Sequence, residues 1–213
     1  MRVIVVNNHT MHLQDIKKLF APTDNLEYIS YTQIWWYDFG GVDCIVLTGL
    51  SNHPYYSKTF DKELAFLQEV TTPTIGICLG CELMVEAFGW IIHRQTERIE
   101  GKLEIQVEND PATYVVHEAH RYSIISLWDE LHGVAKSEYG YEIIKHTSKP
   151  FIGFQFHPEV MTESKDGYRL FAEYTKDFMA KPKIYIHHND WFDDWNHYAF
   201  MSHRISSNSW ESA

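Results

Sequence analysis

Apolar residues recur along this chain with two spacings, and the spacing changes near residue 90. Before that point, short β-branched runs alternate with amphipathic stretches. Arg2–Asn7 (RVIVVN), Asp43–Thr48 (DCIVLT) and Thr74–Ile77 (TIGI) read as strands covered on both faces, and Leu26–Tyr31 (LEYISY) alternates as a further strand. Residues 11–20 (MHLQDIKKLF) place Met11, Ile16, Leu19 and Phe20 on one helical face. Lys58–Val70 turns Phe60, Leu64, Phe66 and Leu67 inward, and Leu79–Phe88 forms a helix stopped by Gly89. Strand and helix repeating through short links predict a doubly wound α/β sheet.

Beyond residue 90 the segments IIHRQTE, LEIQVE, TYVVHEA and YEIIKH are short, alternating and separated by Gly, Pro, Asn or Asp. They predict antiparallel strands added to the mostly parallel sheet. Pro150–Phe156 is again a buried strand, running into His157, Pro158 and Glu159. Asp166–Phe178 is an amphipathic helix with Tyr168, Leu170, Phe171, Tyr174 and Phe178 on its apolar side. With no repeat and no Gly/Ser-rich linker, the pattern predicts one domain over residues 1–180. Residues 181–213 follow as an extension dense in aromatics and histidines.

Composition narrows the function classes. Apolar residues make up 45% and charged residues 22%, which is globular rather than disordered. The formal charge of −11 and the lack of a basic stripe argue against a nucleic-acid partner, since phosphate binding needs clustered Lys and Arg. The apolar start MRVIVV is too short for a signal-peptide core or a membrane span, so no membrane is expected. Cys44, Cys78 and Cys81 make no disulfide framework, which points to a reducing cytoplasm.

The stretch TIGICLGCELM, residues 74–84, concentrates the chemistry. Gly-x-Cys-x-Gly between a strand and a helix is the context of a nucleophile elbow, with Cys78 at the turn. A helix start stabilises negative charge, so the Cys78 pKa should fall towards neutrality, and the N–H of Leu79 should face a developing oxyanion. Such a nucleophile needs a base and an orienting group. His157 lies just past a strand end, where it can share a crevice with Cys78, and Glu159 lies two residues on. Cys78 with Cys81 also spells Cys-x-x-Cys, but a redox pair leaves His-Pro-Glu unexplained, and no second such pair completes a zinc site. In the tail, His187, His188, His197 and His203 with Asp190, Asp193 and Asp194 match no metal-site spacing, so neither metal nor organic cofactor is expected.

GICLG with Cys78, followed by FQFHPEV about 80 residues later, resembles the class I glutamine amidotransferases. The resemblance covers roughly residues 1–180 and is strongest to the amidotransferase part of GMP synthase. It implies a flavodoxin-like domain in which Cys78, His157 and Glu159 hydrolyse the side-chain amide of glutamine through a thioester. The products are glutamate and ammonia, the ammonia passing to a synthetase encoded separately, since none fits in 213 residues. It also implies that His120, in HEAHRYSI, contacts a partner.

Two positions depart from the family. The oxyanion loop, usually Gly-Gly-Pro, is TGLSNHP here, keeping Gly49, placing Leu50 at the second glycine and displacing Pro54. The N–H groups of Leu50 and Leu79 are then the expected oxyanion donors. Glu82 stands where glutaminases of the family usually carry glutamine, and the related γ-glutamyl hydrolases tend to carry glutamate there. A larger γ-glutamyl amide is therefore the alternative substrate, with Glu82 pairing an α-ammonium group or standing as a solvated helix residue. A catalytically silent binding subunit is the third reading.

Overall fold

A computed structural model describes residues 1–51, 59–89 and 92–179. Nine strands form one sheet: β1 (Arg2–Asn7), β2 (Asn25–Ser30), β3 (Cys44–Leu47), β4 (Thr74–Ile77), β5 (His93–Val107), β6 (Thr113–Ser123), β7 (Leu131–Lys136), β8 (Tyr141–His146) and β9 (Phe151–Phe154). Three α-helices accompany them: α1 (Asp61–Glu69), α2 (Leu79–Ala87) and α3 (Asp166–Met179). The spatial order is β2-β1-β3-β4-β9-β8-β7-β5-β6. The first five strands run parallel, and every pair from β9 onward is antiparallel.

The unbroken apolar runs arise because both sheet faces are covered. In β1, Val3 and Val5 enter one core with Cys44, Val46, Ile75 and Ile77, beneath Leu170 and Phe171 of α3. Ile4 and Val6 enter the opposite core with Ile45 and Leu47, beneath Phe66 and Leu67 of α1 and Leu79 and Leu83 of α2. A period of two thus supplies both layers from one strand. Among the described residues no helix is long and apolar enough to cross a membrane.

The local departures have physical causes. Residues 11–20 form turns and a short 3-10 segment, Ile16–Leu19, in place of an α-helix. Only Ile16, Leu19 and Phe20 are buried while Met11 is 65% exposed, so the apolar stripe is too short to hold three helical turns. The two strands expected around Gly101 are one 15-residue strand, because Gly101 is paired to Glu118 inside the β5–β6 ladder. Strand β7 (LHGVAK) carries no clean alternation, so its pattern does not predict a strand. In α1 the buried set is Phe66, Leu67 and the acidic Glu63, with Phe60 buried just before the helix and Leu64 only partly covered. Residues 52–58, which include Pro54, residues 90–91, the side chain of Phe178 and the extension 181–213 lie outside the described residues.

Two features position the site. The chain leaves β4 through α2, builds the antiparallel strands, and returns at β9 directly beside β4, with Ile77 opposite Phe154. The carboxyl ends of β3, β4 and β9 therefore meet. The sheet also curls, so that β6 folds back over this edge and the His117 carbonyl accepts the N–H of His157 at 2.9 Å.

Candidate active site

Cys78 sits at the turn from β4 into α2 with φ 51° and ψ −107°, a region an L-residue enters only at a cost of about 1–3 kcal/mol. Surrounding packing enforces it. The Cys78 N–H donates to the Phe154 carbonyl at 2.8 Å, while its own carbonyl accepts from Glu82 at 3.0 Å and starts the helix. The flanking glycines are required by contact. A Cβ on Gly76 would lie 2.5 Å from the Gly80 carbonyl carbon, and one on Gly80 would run into the Leu47 carbonyl. Gly-x-Cys-x-Gly is here the sequence of a helix pressed against two strands.

His157 follows β9, and its Nδ1 is 2.8 Å from Glu159 Oε1; both residues are almost fully buried. The Nε2 atom makes no hydrogen bond of good geometry, yet Cys78 and His157 lie close enough to shift each other's titration. Burial opposes a charged imidazole, but Glu159 and Cys78 together carry His157 well above the ordinary histidine range. For Cys78 the expectation from the helix start is overturned. Burial of the thiol dominates and raises its pKa, with His157 pulling the other way and Glu82 and Glu118 adding to the rise. Cys78 and His157 thus titrate as a coupled pair, each shifting the other.

Gly49 closes the third side: a Cβ there would lie 3.1 Å from His157 Cε1 and 3.3 Å from Cys78 Cβ. Leu50, next along, is partly buried against the core that holds Leu79. Leu79 is the first residue of α2, whose first N–H groups have no acceptor within the helix.

Glu82 lies one turn beyond Cys78 and is 3% exposed, so it is not a solvated residue. Burial raises its carboxyl to about 7, against the pull of His120 and a 3.0 Å hydrogen bond from Gln155 Nε2. His120 is also buried. Its Nδ1 is 2.6 Å from the Tyr122 carbonyl and its Nε2 is 3.0 Å from Glu118, so its ring engages groups within the chain. Cys81 points elsewhere: its Sγ would meet a Cβ on Gly153, in a core with Val85 and Ile144. All three cysteines are free thiols.

Sequence reasoning missed several neighbours. His12 and His117 stand with ring centroids 5.6 and 6.4 Å from that of His157. The imidazole of His117 is pushed below the ordinary range by burial and by His157 and His12. Gln155, Glu118 and Glu142 are buried around Glu82 and His120. The alternation of Glu118 and His120 in β6 was visible in the sequence, but the curl that brings β6 to this edge was not.

Comparison with known proteins assigns the chain to a family. The family model for class I glutamine amidotransferases matches residues 7–176. One subunit of the glutamine-hydrolysing GMP synthase of Archaeoglobus fulgidus is 29% identical over 78% of this chain and 90% of its own length. The corresponding subunit from Methanobrevibacter smithii is 29% identical over 75% of this chain and 87% of its own. The match to a GMP synthase of Desulfotalea psychrophila, 34% identical, spans only 21% of that protein. A solved glutamine amidotransferase from Thermotoga maritima shares the fold, with a TM-score of 0.61 at 20% identity over 87% of this chain and 86% of its own. With its fold, and with a family match that spans most of its length, the chain belongs to the class I glutamine amidotransferases.

Proposed function

We propose that this chain is a glutaminase subunit of the GMP synthase type, hydrolysing the γ-amide of glutamine and supplying ammonia to a separately encoded synthetase. The observation that carries the reading is Cys78 at a strained strand–helix turn beside an imidazole that Glu159 holds through Nδ1. His157 Nε2 takes the thiol proton as sulfur attacks the amide carbon. The oxyanion is held by the N–H groups of Leu50 and Leu79, and the imidazolium protonates the departing ammonia. Water, deprotonated by His157, then cleaves the γ-glutamyl thioester to glutamate. The thiol proton leaves with ammonia, and the proton that His157 takes from water returns to the departing Cys78 thiolate, so the net reaction is glutamine plus water to glutamate plus ammonia.

A second reading, hydrolysis of a larger γ-glutamyl amide without ammonia transfer, is favoured by Glu82, a buried carboxyl one turn from the nucleophile. Glutamate release from glutamine by the full chain, with Cys78→Ala as control and a panel of γ-glutamyl amides alongside, tests both. Turnover of glutamine that vanishes in Cys78→Ala and rises with an added synthetase subunit is the expected result. Turnover confined to substituted amides would favour the second reading. Silence on all of them, with no covalent labelling of Cys78, would leave a binding subunit.

A further inference from the structure

Behind the nucleophile lies a group of side chains that the amide chemistry does not use. Glu118 and His120 project from one face of β6, two residues apart, and Glu142 reaches them from β8. These strands are not neighbours in the sheet, where β7 and β5 lie between them; the curl brings them together. One ligand atom from each residue lies within 4.8 Å of the other two, and all three residues are buried.

The hydrogen bonding within the group is unfinished. His120 Nδ1, 2.6 Å from the Tyr122 carbonyl, must carry the ring proton, because a carbonyl only accepts. In the neutral ring Nε2 therefore carries the lone pair, and it faces Glu118 Oε2 at 3.0 Å, an ion-pair distance without good hydrogen-bond geometry. Both Glu118 oxygens and Glu142 Oε2 are likewise buried without a hydrogen bond of good geometry, although the two carboxyls lie close enough to act on each other. Glu142 Oε1 is held by Ser137 Oγ at 2.6 Å. A backbone carbonyl fixing the histidine tautomer and a hydroxyl orienting a carboxylate are the supports that metal ligands use. Donors about 2.1 Å from Zn²⁺ stand roughly 3.0–3.4 Å apart, so the His120–Glu118 edge already has the separation an ion would set. A groove along β5 between Gln95 and Leu103, bounded by Tyr139, has Glu118 among its lining residues.

We propose that Glu118, His120 and Glu142 bind one divalent transition-metal ion, with Zn²⁺ the natural occupant of an imidazole and two carboxylates. The ion is structural. It fastens β6 to β8 and so fixes the curl that lays His117 over His157. This site was not foreseen from the sequence, because its ligands are spread over two strands at no recognised spacing.

The test uses the full chain, freed of metal by a chelator and titrated with Zn²⁺ alone, with bound metal counted by mass spectrometry and affinity measured by calorimetry. Wild type should bind one more ion than Glu142→Gln, whose site should weaken by at least about 100-fold. The two proteins share the same tail, so ions held by its histidines cancel in the comparison. Equal stoichiometry and affinity would overturn the proposal. Because Glu142→Gln could fold poorly, the wild-type His120 ring is also followed by nitrogen NMR. Added Zn²⁺ should move Nε2 to a metal-bound shift while the Nδ1 proton is retained. An unmoved His120 ring would refute the site whatever the variants do. Neither readout depends on glutaminase activity.

Discussion

Among the described residues, two buried glutamate–histidine pairs share the same two-residue separation and are wired in opposite senses. In His157-Pro158-Glu159 the carboxylate takes Nδ1 and leaves Nε2 for Cys78. In Glu118-Ala119-His120 a backbone carbonyl takes Nδ1, and Nε2 is left facing carboxylates. The first pair forms across a turn, and the second across the alternation of a strand. One arrangement makes a base, and the other gathers lone pairs at a point. Residue type and spacing are shared; the ring nitrogen that is engaged decides the chemistry.

The largest effect should come from changing the first pair. Glu159→Gln keeps the size of the side chain but removes the charge that lifts His157. Glutamate release should fall by about 10²–10⁴-fold with little change in KM, because Glu159 orients the imidazole and stabilises its charged form during proton transfer. Steady-state kinetics at neutral pH check this. A loss below threefold would mean that the two pairs do not differ in the way proposed.

The next effect tests what holds Cys78 to its pair. In Gly80→Ala the new methyl group would collide with the Leu47 backbone, which cannot swing aside as a side chain can. A loss of about 3 kcal/mol or more is expected by urea unfolding, at the upper end for an overpacked core. Wild-type stability in this variant would show that α2 can shift away from β3.

A third carboxyl calibrates both pairs by having no imidazole. Glu63 in α1 is fully buried, its oxygens have no hydrogen bond of good geometry, and burial pushes it up to about 8 against the pull of Asn8. The folded state then keeps a proton that the unfolded chain, with its ordinary value near 4.5, gives up. Stability from this group is complete below about pH 4.5 and declines as pH rises through 8. Glu63→Gln should flatten this decline, by on the order of 3 kcal/mol between pH 5 and 9. Parallel slopes for variant and wild type in denaturant titrations would refute the assignment.

The sequence was most readable where local rules and tertiary packing coincide. β1, β3, β4 and β9 have interiors that face two cores, so their apolar runs are uninterrupted. The Cys78 elbow was legible because its glycines answer to backbone contacts only a few residues and one strand away. His157 and Glu159 are adjacent enough for spacing to suggest their bond. The burial of Glu82 and His120 and the convergence of Glu118 with Glu142 were hidden, because they depend on how far a nine-stranded sheet curls. The helix expected over residues 11–20 failed for the opposite reason: its periodicity was real but too short to outweigh the turn geometry.

The smallest effect should come from Glu82, which lies between the two pairs and is pulled by both His120 and His157. Glu82→Gln keeps an oxygen to accept the Gln155 hydrogen bond, so the fold should survive. It removes an anion that helps hold the Cys78 thiol protonated. Since the Glu82 carboxyl titrates at about 7, the wild type carries that anion above this pH and lacks it below. The variant should therefore match wild type near pH 6 and exceed it by about 2–5-fold in kcat/KM for glutamine near pH 8. A pH profile of both proteins checks this. If glutamine turnover stayed level at every pH while KM for a larger γ-glutamyl amide rose steeply, Glu82 would instead be a counter-ion for that substrate's α-ammonium group. The carboxyl would then belong to substrate recognition, and the second reading of the site would replace the first.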